Sequence, residues 1–220
     1  MKQGQFVVIG LGRFGSSLAK ELIDLGFEVL GVDKDDEVVQ DMSNILTHAV
    51  VADSTDEEML RSIGVRNFDY GVIAIGDDIQ SSIMTAILLK DLGIKQVVAK
   101  ALSELHGRVL ERIGVDRIVY PERDMGKRVA NQLVSPNMLD YIALSKEYTI
   151  AEMAVPSCLN GKTLQQLNPR VKFGFSILAI NKPDGVIIAP SAMDVLEEKD
   201  IMVVIGKDEQ IENFQEEVLR

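Results

Sequence analysis

The chain has 220 residues, and its 46% hydrophobic content supports a packed core and excludes a largely disordered protein. Its formal net charge of −11 argues against binding to nucleic acid or to anionic lipid, because both need a basic surface. The single cysteine, Cys158, favours a reducing cytoplasm, and no apolar run approaches the roughly 20 residues of a membrane helix, so we expect no direct membrane insertion.

The chain opens with an apolar strand that runs into a glycine-rich turn, QFVVIGLGRFG. Gly10, Gly12 and Gly15 have the spacing of a dinucleotide-binding turn, in which they permit the turn, admit a pyrophosphate and allow close helix packing, respectively. The helix that begins near Arg13 would direct its N–H groups at that phosphate. The next strand ends at Asp33, which is placed to accept hydrogen bonds from a ribose diol. Together these features predict an adenine-nucleotide site.

Residues 5–121 alternate between short apolar runs and helical segments. The runs are rich in valine and isoleucine, as expected for strands buried on both faces of a parallel sheet: FVVIG, VLGVD, HAVVAD, YGVIAIG, VVAKA and RIVYP. Four of the helices are predicted to end at a glycine between apolar residues, at Gly26, Gly64, Gly93 and Gly114. Six strands with helical crossovers predict a Rossmann-like, doubly wound α/β domain, with its ligand crevice at the carboxyl ends of the strands.

The pattern changes after Pro121. Residues 122–145 are predicted to form one or two helices interrupted at Ser135-Pro136, because proline opens a helix more readily than it continues one. From about residue 148, four shorter strands alternate with turns before a final amphipathic helix: YTIAEMAV, FSILAI, GVIIAP and DIMVVIG. This pattern predicts a small α+β domain.

The domain boundaries follow from this change of pattern. We assign residues 1–134 to the nucleotide-binding domain, 135–146 to a crossover or hinge and 147–220 to the second domain. A domain of roughly 75 residues has a thin core, so the second domain is expected to rely on self-association.

With these elements in place, the chain resembles RCK proteins of the KtrA type, which join a TrkA-N to a TrkA-C domain. The resemblance rests on these segments: VIGLGRFG, VVADSTDEEML, AIGDD, RIVYPERDMG, LNPRVKFGFSILAI and APSAMDVLEEKDIMVVIGKDEQIENF. It implies a cytoplasmic regulatory subunit, peripheral at the membrane through a Ktr-type potassium-channel subunit. It also implies homodimers that assemble into an octameric ring, which ATP activates, ADP inactivates and cyclic di-AMP inhibits.

Several first-domain residues are candidates for the nucleotide site. The Arg13 guanidinium offers a rigid fork to phosphate oxygens, and the resemblance implies that it reaches the γ-phosphate held by a neighbouring subunit. The alternative for Arg13 is a solvated residue at a helix start. The resemblance places Asp53 beside the adenine, and a cap for the following helix is the alternative. The neighbouring candidates are Phe14, Lys34, Ser54, Ile75 and Gly76.

The ends of the fifth and sixth strands add two charged candidates. Lys100 would either approach a phosphate or form a surface salt bridge. The resemblance implies that Glu122 holds Mg²⁺ or Ca²⁺ together with ATP, since both ions take hard oxygen ligands, and a helix N-terminal acid is the alternative. Asp35 is predicted to cap the helix that follows it. Asp77 and Asp78 are predicted to cap the helix that starts at Ile79, and a contact with the nucleotide is the alternative for them.

The second domain carries a candidate anion site. Arg170 and Lys172 would form a local basic site suited to a phosphodiester, or Arg170 would be a surface charge. The resemblance makes cyclic di-AMP the ligand, and its two-fold symmetry matches a homodimer interface. The other candidates, beneath or beside the adenine, are Leu164, Asn168, Ile177, Ile188 and Pro190.

The main alternative function is an NAD(H)-binding sensor or oxidoreductase with a different partner. The two histidines, His48 and His106, stand apart in the sequence without a metal-binding cluster, and neither lies in the second domain. An oxidoreductase needs proton-transfer residues and a substrate cleft, for which the second domain offers no candidate pair. We therefore predict a regulator without enzymatic activity.

Overall fold

The computed structural model describes residues 4–134, 138–145 and 147–218. The chain folds as two compact units that divide between Glu122 and Arg123. This division groups most of the helix that follows Pro121 with the second unit, whereas the sequence prediction ended the first domain at residue 134. The predicted interruption at Ser135-Pro136 lies outside the described residues.

A parallel sheet forms the centre of the first unit. Its strands are β1 (Gln5–Ile9), β2 (Glu28–Asp33), β3 (His48–Val51), β4 (Tyr70–Ile73), β5 (Gln96–Lys100) and β6 (Arg117–Val119). They are ordered β3-β2-β1-β4-β5-β6, and every neighbouring pair is parallel. The order reverses between β1 and β4, where doubly wound sheets open a ligand crevice. The predicted fold class is confirmed.

Helices cover both faces of this sheet. They are α1 (Arg13–Asp24), α2 (Asp36–Met42), α3 (Glu57–Ser62), α4 (Ile79–Asp91) and α5 (Glu104–Ile113). Val7 and Val8 of β1 are both fully buried but belong to different apolar clusters, as alternation along a strand covered on both faces requires. Asp35 caps α2 and Asp78 caps α4 as predicted, whereas Asp77 is not the N-cap of α4.

The four predicted glycines end or follow helices in the left-handed conformation, which residues with a side chain rarely adopt. Their φ angles lie between +76° and +94°. The helix ends were therefore predictable from the Gly-apolar pattern.

Asp116, immediately before β6, fastens that strand to the start of β5. Its carboxylate accepts a hydrogen bond from the Val97 backbone N–H at 2.7 Å and pairs with the Lys90 ammonium at 3.0 Å. The Val97 hydrogen bond, with a smaller contribution from Lys90, lowers the pKa of Asp116 below its usual 3.8. The carboxylate therefore stabilises the fold in its ionised form.

We expect Asp116→Asn to lower the free energy of unfolding by about 1 kcal/mol at neutral pH, because the partly exposed ion pair is screened and the Val97 bond survives. A lowered native pKa gives stability that is present above the unfolded pKa and lost as the pH falls through the native one. Urea unfolding should therefore show variant and wild type converging as the pH falls below about 4. Asp91→Asn, at the exposed end of α4, is the control. A difference that stays constant with pH would contradict this account.

The second unit is built around an antiparallel sheet. Its strands are β7 (Met138–Ala143), β8 (Tyr148–Ala154), β9 (Ser176–Lys182), β10 (Gly185–Ile188) and β11 (Ile201–Lys207). They are ordered β10-β9-β11-β8-β7. The helices are α6 (Pro121–Val134), which begins in the first unit, α7 (Leu164–Leu167), α8 (Pro169–Lys172) and α9 (Asp208–Val218). Phe173 and Phe175 pack edge-on against Phe214 of α9, with ring centroids 4.9 and 5.0 Å apart, so α9 closes the core.

The prediction of a second helix up to residue 145 is wrong. Residues 138–143 form β7, which pairs antiparallel with β8 in a register that joins Tyr141 to Ala151 and Ile142 to Ile150. Tyr and Ile favour strands, and the hydrogen bonds of β8 settle the conformation of this segment.

Candidate functional site

The three glycines of the β1–α1 turn have different surroundings. Gly10 has a φ of +90°, and a Cβ there would lie 2.9 Å from the Ile75 backbone nitrogen. A Cβ at Gly15 would overlap the Gly10 carbonyl oxygen, so this glycine allows α1 to approach the strand end. Gly12 caps α1, and a Cβ there would meet no other heavy atom within 4 Å. The open space therefore lies over Gly12, where the helix N–H groups point.

Asp33 connects this turn to the end of β2. Its Oδ2 accepts a hydrogen bond from the Leu11 backbone N–H at 2.6 Å, and its Oδ1 accepts one from the Asp35 backbone N–H at 3.0 Å. Each carboxylate oxygen can accept a second hydrogen bond. Asp33 can therefore brace the turn and still receive the two hydroxyls of a ribose.

These residues border a cavity of about 420 Å³, a size typical of small-molecule sites. The structure brings together every predicted first-domain candidate except Gly15, which is buried beside the turn. The lining candidates are Gly10, Gly12, Arg13, Phe14, Asp33, Lys34, Asp53, Ser54, Ile75, Gly76, Lys100 and Glu122. Three acids predicted as helix caps also line it, namely Asp35, Asp77 and Asp78. Six further lining residues were not predicted, namely Ile9, Val32, Val38, Ala52, Ala74 and Ser81. Most of these are immediate neighbours of selected residues at strand ends, which is the signal that could have found them.

One wall of the cavity is the loop after β3. Asp53 accepts hydrogen bonds from the Thr55 backbone N–H at 2.9 Å and from the Thr55 hydroxyl at 2.7 Å, and these bonds, the backbone one first, lower the pKa of Asp53 below 3.8. The cap of α3 is Asp56, so Asp53 does not serve as that cap. The buried Ser54 hydroxyl lies 2.8 Å from the Thr85 hydroxyl. Asp53 is therefore held ionised at the cavity wall.

A charged pair forms another part of the lining. The Lys100 ammonium lies 2.6 Å from Glu122 Oε1, and Lys100 is buried whereas Glu122, in the first turn of α6, is exposed. The Lys100 hydrogen bond is the main reason that the pKa of Glu122 lies below its usual 4.5. Lys100 thus forms a salt bridge, although its own side chain is buried, and its approach to a phosphate stays a prediction.

The residues around Glu122 would suit a divalent ion only in part. Among the residues that the structure describes, no three His, Cys, Asp or Glu side chains cluster in a way that could hold a metal. Glu122 could supply one hard oxygen ligand, and phosphate oxygens would have to complete the coordination. Its present partner is Lys100, which the ion would have to replace.

The second unit has an open groove of about 550 Å³ beside α7 and α8. It brings together five predicted candidates, namely Leu164, Asn168, Arg170, Ile177 and Pro190, and adds Gln165, Pro169, Ser176 and Ala192. Lys172 and Ile188 are not among the described residues that line it. The Lys172 ammonium donates instead to the Gln166 carbonyl oxygen at 3.4 Å, and Ile188 is 80% exposed on β10.

The chain thus joins a doubly wound unit that carries a dinucleotide-type turn and a cavity to a small antiparallel unit that carries a second groove. Residues 6–121 match the family model of the TrkA-N domain, and residues 150–219 match that of the TrkA-C domain. Among the described residues, no helix is both long enough and apolar enough to span a membrane.

Two curated relatives match over nearly the whole chain. The Ktr system potassium uptake protein C of Bacillus subtilis (strain 168) is 46% identical, with 98% of this chain and 97% of the relative covered. The Ktr system potassium uptake protein A of the same organism is 45% identical, with 99% and 98% covered. The chain therefore belongs to the TrkA-N/TrkA-C family that includes the Ktr system potassium uptake proteins.

Solved structures agree on the fold. The GsuK RCK domain superposes with a TM-score of 0.56 at 23% identity, covering 100% of this chain and 47% of that one. The GsuK channel bound to NAD gives a TM-score of 0.56 at 22% identity and is covered over 39% of its length. The chain thus spans less than half of these structures, and at such identities the likeness concerns the fold alone.

Proposed function

We propose that this protein is the nucleotide-gated regulatory subunit of a Ktr-type potassium-uptake system. The observation that carries the proposal is the cavity over Gly12 and Asp33, in a chain that is 45–46% identical over nearly its full length to two Ktr system potassium uptake proteins. The subunit would form homodimers within an octameric ring. It would work in the cytoplasm, peripheral to the membrane through its channel partner.

The residues of the cavity suit a nucleoside polyphosphate. Asp33 would accept hydrogen bonds from the ribose hydroxyls, and the N-terminus of α1 at Gly12 would face the diphosphate. Arg13 and Lys100 would balance the negative charge of the terminal phosphates, and Glu122 would offer a ligand to Mg²⁺ or Ca²⁺. ATP and ADP differ in that terminal charge, so these side chains would let ATP and ADP favour different states of the ring, one active and one inactive.

We propose regulation by differential binding rather than catalysis. A ligand shifts an equilibrium between two states only by as much as it prefers one of them. The lining of the cavity, within the described part of the chain, consists of apolar, hydroxyl, carboxylate, lysine and arginine groups and includes no histidine. NAD(H) is a second candidate ligand, because the structurally similar GsuK channel has been solved with NAD.

Two measurements test this function. Calorimetric titration of the full chain with ATP, ADP and NADH identifies the ligand of the first unit. Potassium flux into vesicles that contain a Ktr-type membrane subunit then tests regulation, and we expect flux to rise with the ATP-loaded protein and to fall with the ADP-loaded one. Binding of NADH alone, together with hydride transfer to an added acceptor, would favour an oxidoreductase. Equal flux with both nucleotides would contradict nucleotide gating.

We further propose that cyclic di-AMP inhibits from the groove of the second unit. Arg170 is exposed at this groove and offers a guanidinium to a phosphodiester, beside apolar Leu164 and Ile177. Cyclic di-AMP has two equivalent halves, so a groove shared by two copies of the chain would suit it.

Arg170→Ala is expected to weaken cyclic di-AMP binding at least about tenfold, the loss expected from one charge-assisted hydrogen bond. Lys172→Ala should have a smaller effect, because its ammonium lies against the Gln166 carbonyl outside the groove lining. Calorimetry on both variants measures the difference, and the ATP affinity should not change in either. Equal losses in the two variants would show that general positive charge, not the groove, attracts the ligand.

A further inference from the structure

The Lys100–Glu122 ion pair joins a rigid element to an exposed one. Lys100 is the last residue of β5 and is paired with Val119 of β6 in the sheet, whereas Glu122 lies in the first turn of α6. Only 8% of the Lys100 side chain is exposed, against 70% of the Glu122 side chain. A buried ammonium needs an anion beside it, but an exposed carboxylate can turn into water at little cost. If the pair opens, Glu122 is therefore the partner that moves.

The Lys100 ammonium also lies where an anionic ligand would arrive. It borders the cavity with Gly12 and Arg13, and a Cβ at Gly76 would be only 3.4 Å from it. The Phe14 ring centroid is 5.9 Å away on the α1 side. The ammonium therefore contacts the Glu122 carboxylate and also borders the cavity in which the anionic group of a ligand would bind.

A phosphate group and the Glu122 carboxylate would compete for this one ammonium. A polyphosphate carries more negative charge than a carboxylate, and two anions side by side repel each other. Occupation of the cavity would therefore favour the state in which Glu122 has left Lys100. Glu122 is also the residue at which the first unit ends, since the chain enters the second unit at Arg123.

We infer that Lys100 and Glu122 form a ligand-operated latch. An anionic group of the nucleotide takes over the Lys100 ammonium and releases Glu122, and this frees the first turn of α6. The inference rests on the proposed function, because it needs a nucleotide in the cavity. Through this pair, a ligand in the cavity would change the first turn of α6, the helix that leads into the second unit.

A double-mutant cycle tests the latch, with ATP affinity measured by calorimetry in EDTA on wild type, Lys100→Met, Glu122→Gln and the double variant. Lys100→Met should weaken binding about 10- to 100-fold, as expected when a charge-assisted bond is lost. Glu122→Gln should tighten binding about fivefold, because the competitor for Lys100 is gone. In the Lys100→Met background, the same change should have less than about a twofold effect. An equal gain in both backgrounds would mean that Glu122 only repels the ligand, and the latch would be rejected.

Hydrogen exchange of α6 gives an independent readout. The carbonyl groups of the first turn protect the amides from residue 125 onwards, so ATP in EDTA should speed exchange of the backbone amides in residues 125–134 of the wild type, whereas Glu122→Gln should exchange fast with or without ATP. This variant changes one exposed side chain, so it remains informative if Lys100→Met folds poorly. Slow exchange in α6 of the ATP-bound wild type would overturn the latch.

Matched controls separate the latch from changes in net charge. Lys95→Met removes an exposed lysine that pairs with Asp69, and Glu104→Gln removes an exposed acid from the first turn of α5. Neither should reproduce the coupling. If the wild type binds none of ATP, ADP and NADH, the proposed function fails. If it binds nucleotide but the cycle shows no coupling, only the latch fails.

Discussion

Asp33→Ala is expected to weaken ATP and ADP binding about 100-fold. The carboxylate would accept hydrogen bonds from the two ribose hydroxyls, and bonds to a charged acceptor contribute about 1.5–3 kcal/mol each. The same side chain holds the Leu11 and Asp35 backbone N–H groups, so its loss also loosens the turn on which the phosphates would lie. Calorimetric titration of the full chain measures the change, and cyclic di-AMP binding, assigned to the other unit, should be unaffected.

Asp33→Asn separates the two roles of this side chain. Asparagine keeps one oxygen for a backbone N–H group but loses the charge and one acceptor, so we expect a loss of affinity smaller than that of Asp33→Ala. Asp36→Ala, an exposed acid in the first turn of α2, is the control for charge alone. If Asp33→Ala lowered the melting temperature but left nucleotide affinity unchanged, Asp33 would be a structural brace only.

The first unit could be predicted closely because its signals are local. Each buried strand is a continuous apolar run, each turn carries its own glycine or cap, and the nucleotide-type turn lies within a few residues of Gly10. The parallel order of the strands then follows from the crossover helices. A parallel order places the carboxyl ends of the strands at one edge of the sheet, so the residues that were predicted separately at those ends line a single cavity.

The features that escaped prediction depend on contacts between distant residues. Lys100 and Glu122 are 22 positions apart, and neither one signals the other in the sequence. Strand β7 was predicted as helix because its own residues do not reveal the partner strand β8, which determines its conformation.

The second groove shows the same limit over shorter distances. Lys172 and Arg170 are close in sequence, yet the single turn of α8 directs the Lys172 ammonium to the Gln166 carbonyl. Ile187 packs against the core of its unit, and because side chains alternate along a strand, its neighbour Ile188 faces outward. A list of plausible residue types therefore identified the right segment but not every side chain that lines the groove.

The stability of the second unit is expected to depend strongly on Asp200, a carboxylate buried at the turn before β11. Its Oδ2 accepts hydrogen bonds from the Lys182 ammonium at 2.8 Å and from the Glu197 backbone N–H at 2.9 Å. The Asp200 bond is the main reason that the pKa of Lys182 lies above its usual 10.5. The Asp200 backbone carbonyl also accepts a hydrogen bond from the Val155 N–H, so this turn joins the start of β11 to the end of β8.

Asp200→Ala should lower the free energy of unfolding of this unit by about 3–4 kcal/mol, because it leaves the Lys182 ammonium and the Glu197 N–H without their buried acceptor. Urea unfolding of the full chain measures the loss, and retained ATP binding would show that the first unit is still folded. Glu197→Gln removes only the exposed second partner of Lys182, so it should lower the free energy of unfolding far less, since exposed pairs contribute little.

A double variant tests the ion pair itself. Replacing both partners, in Lys182→Met/Asp200→Leu, should recover part of the stability lost in Asp200→Ala, because no buried charge is then left unpaired. The single variants Lys182→Met and Asp200→Leu complete this double-mutant cycle. If the double variant lost as much stability as these two single variants added together, Asp200 would act through the backbone turn alone, and the ion pair would contribute no stability of its own.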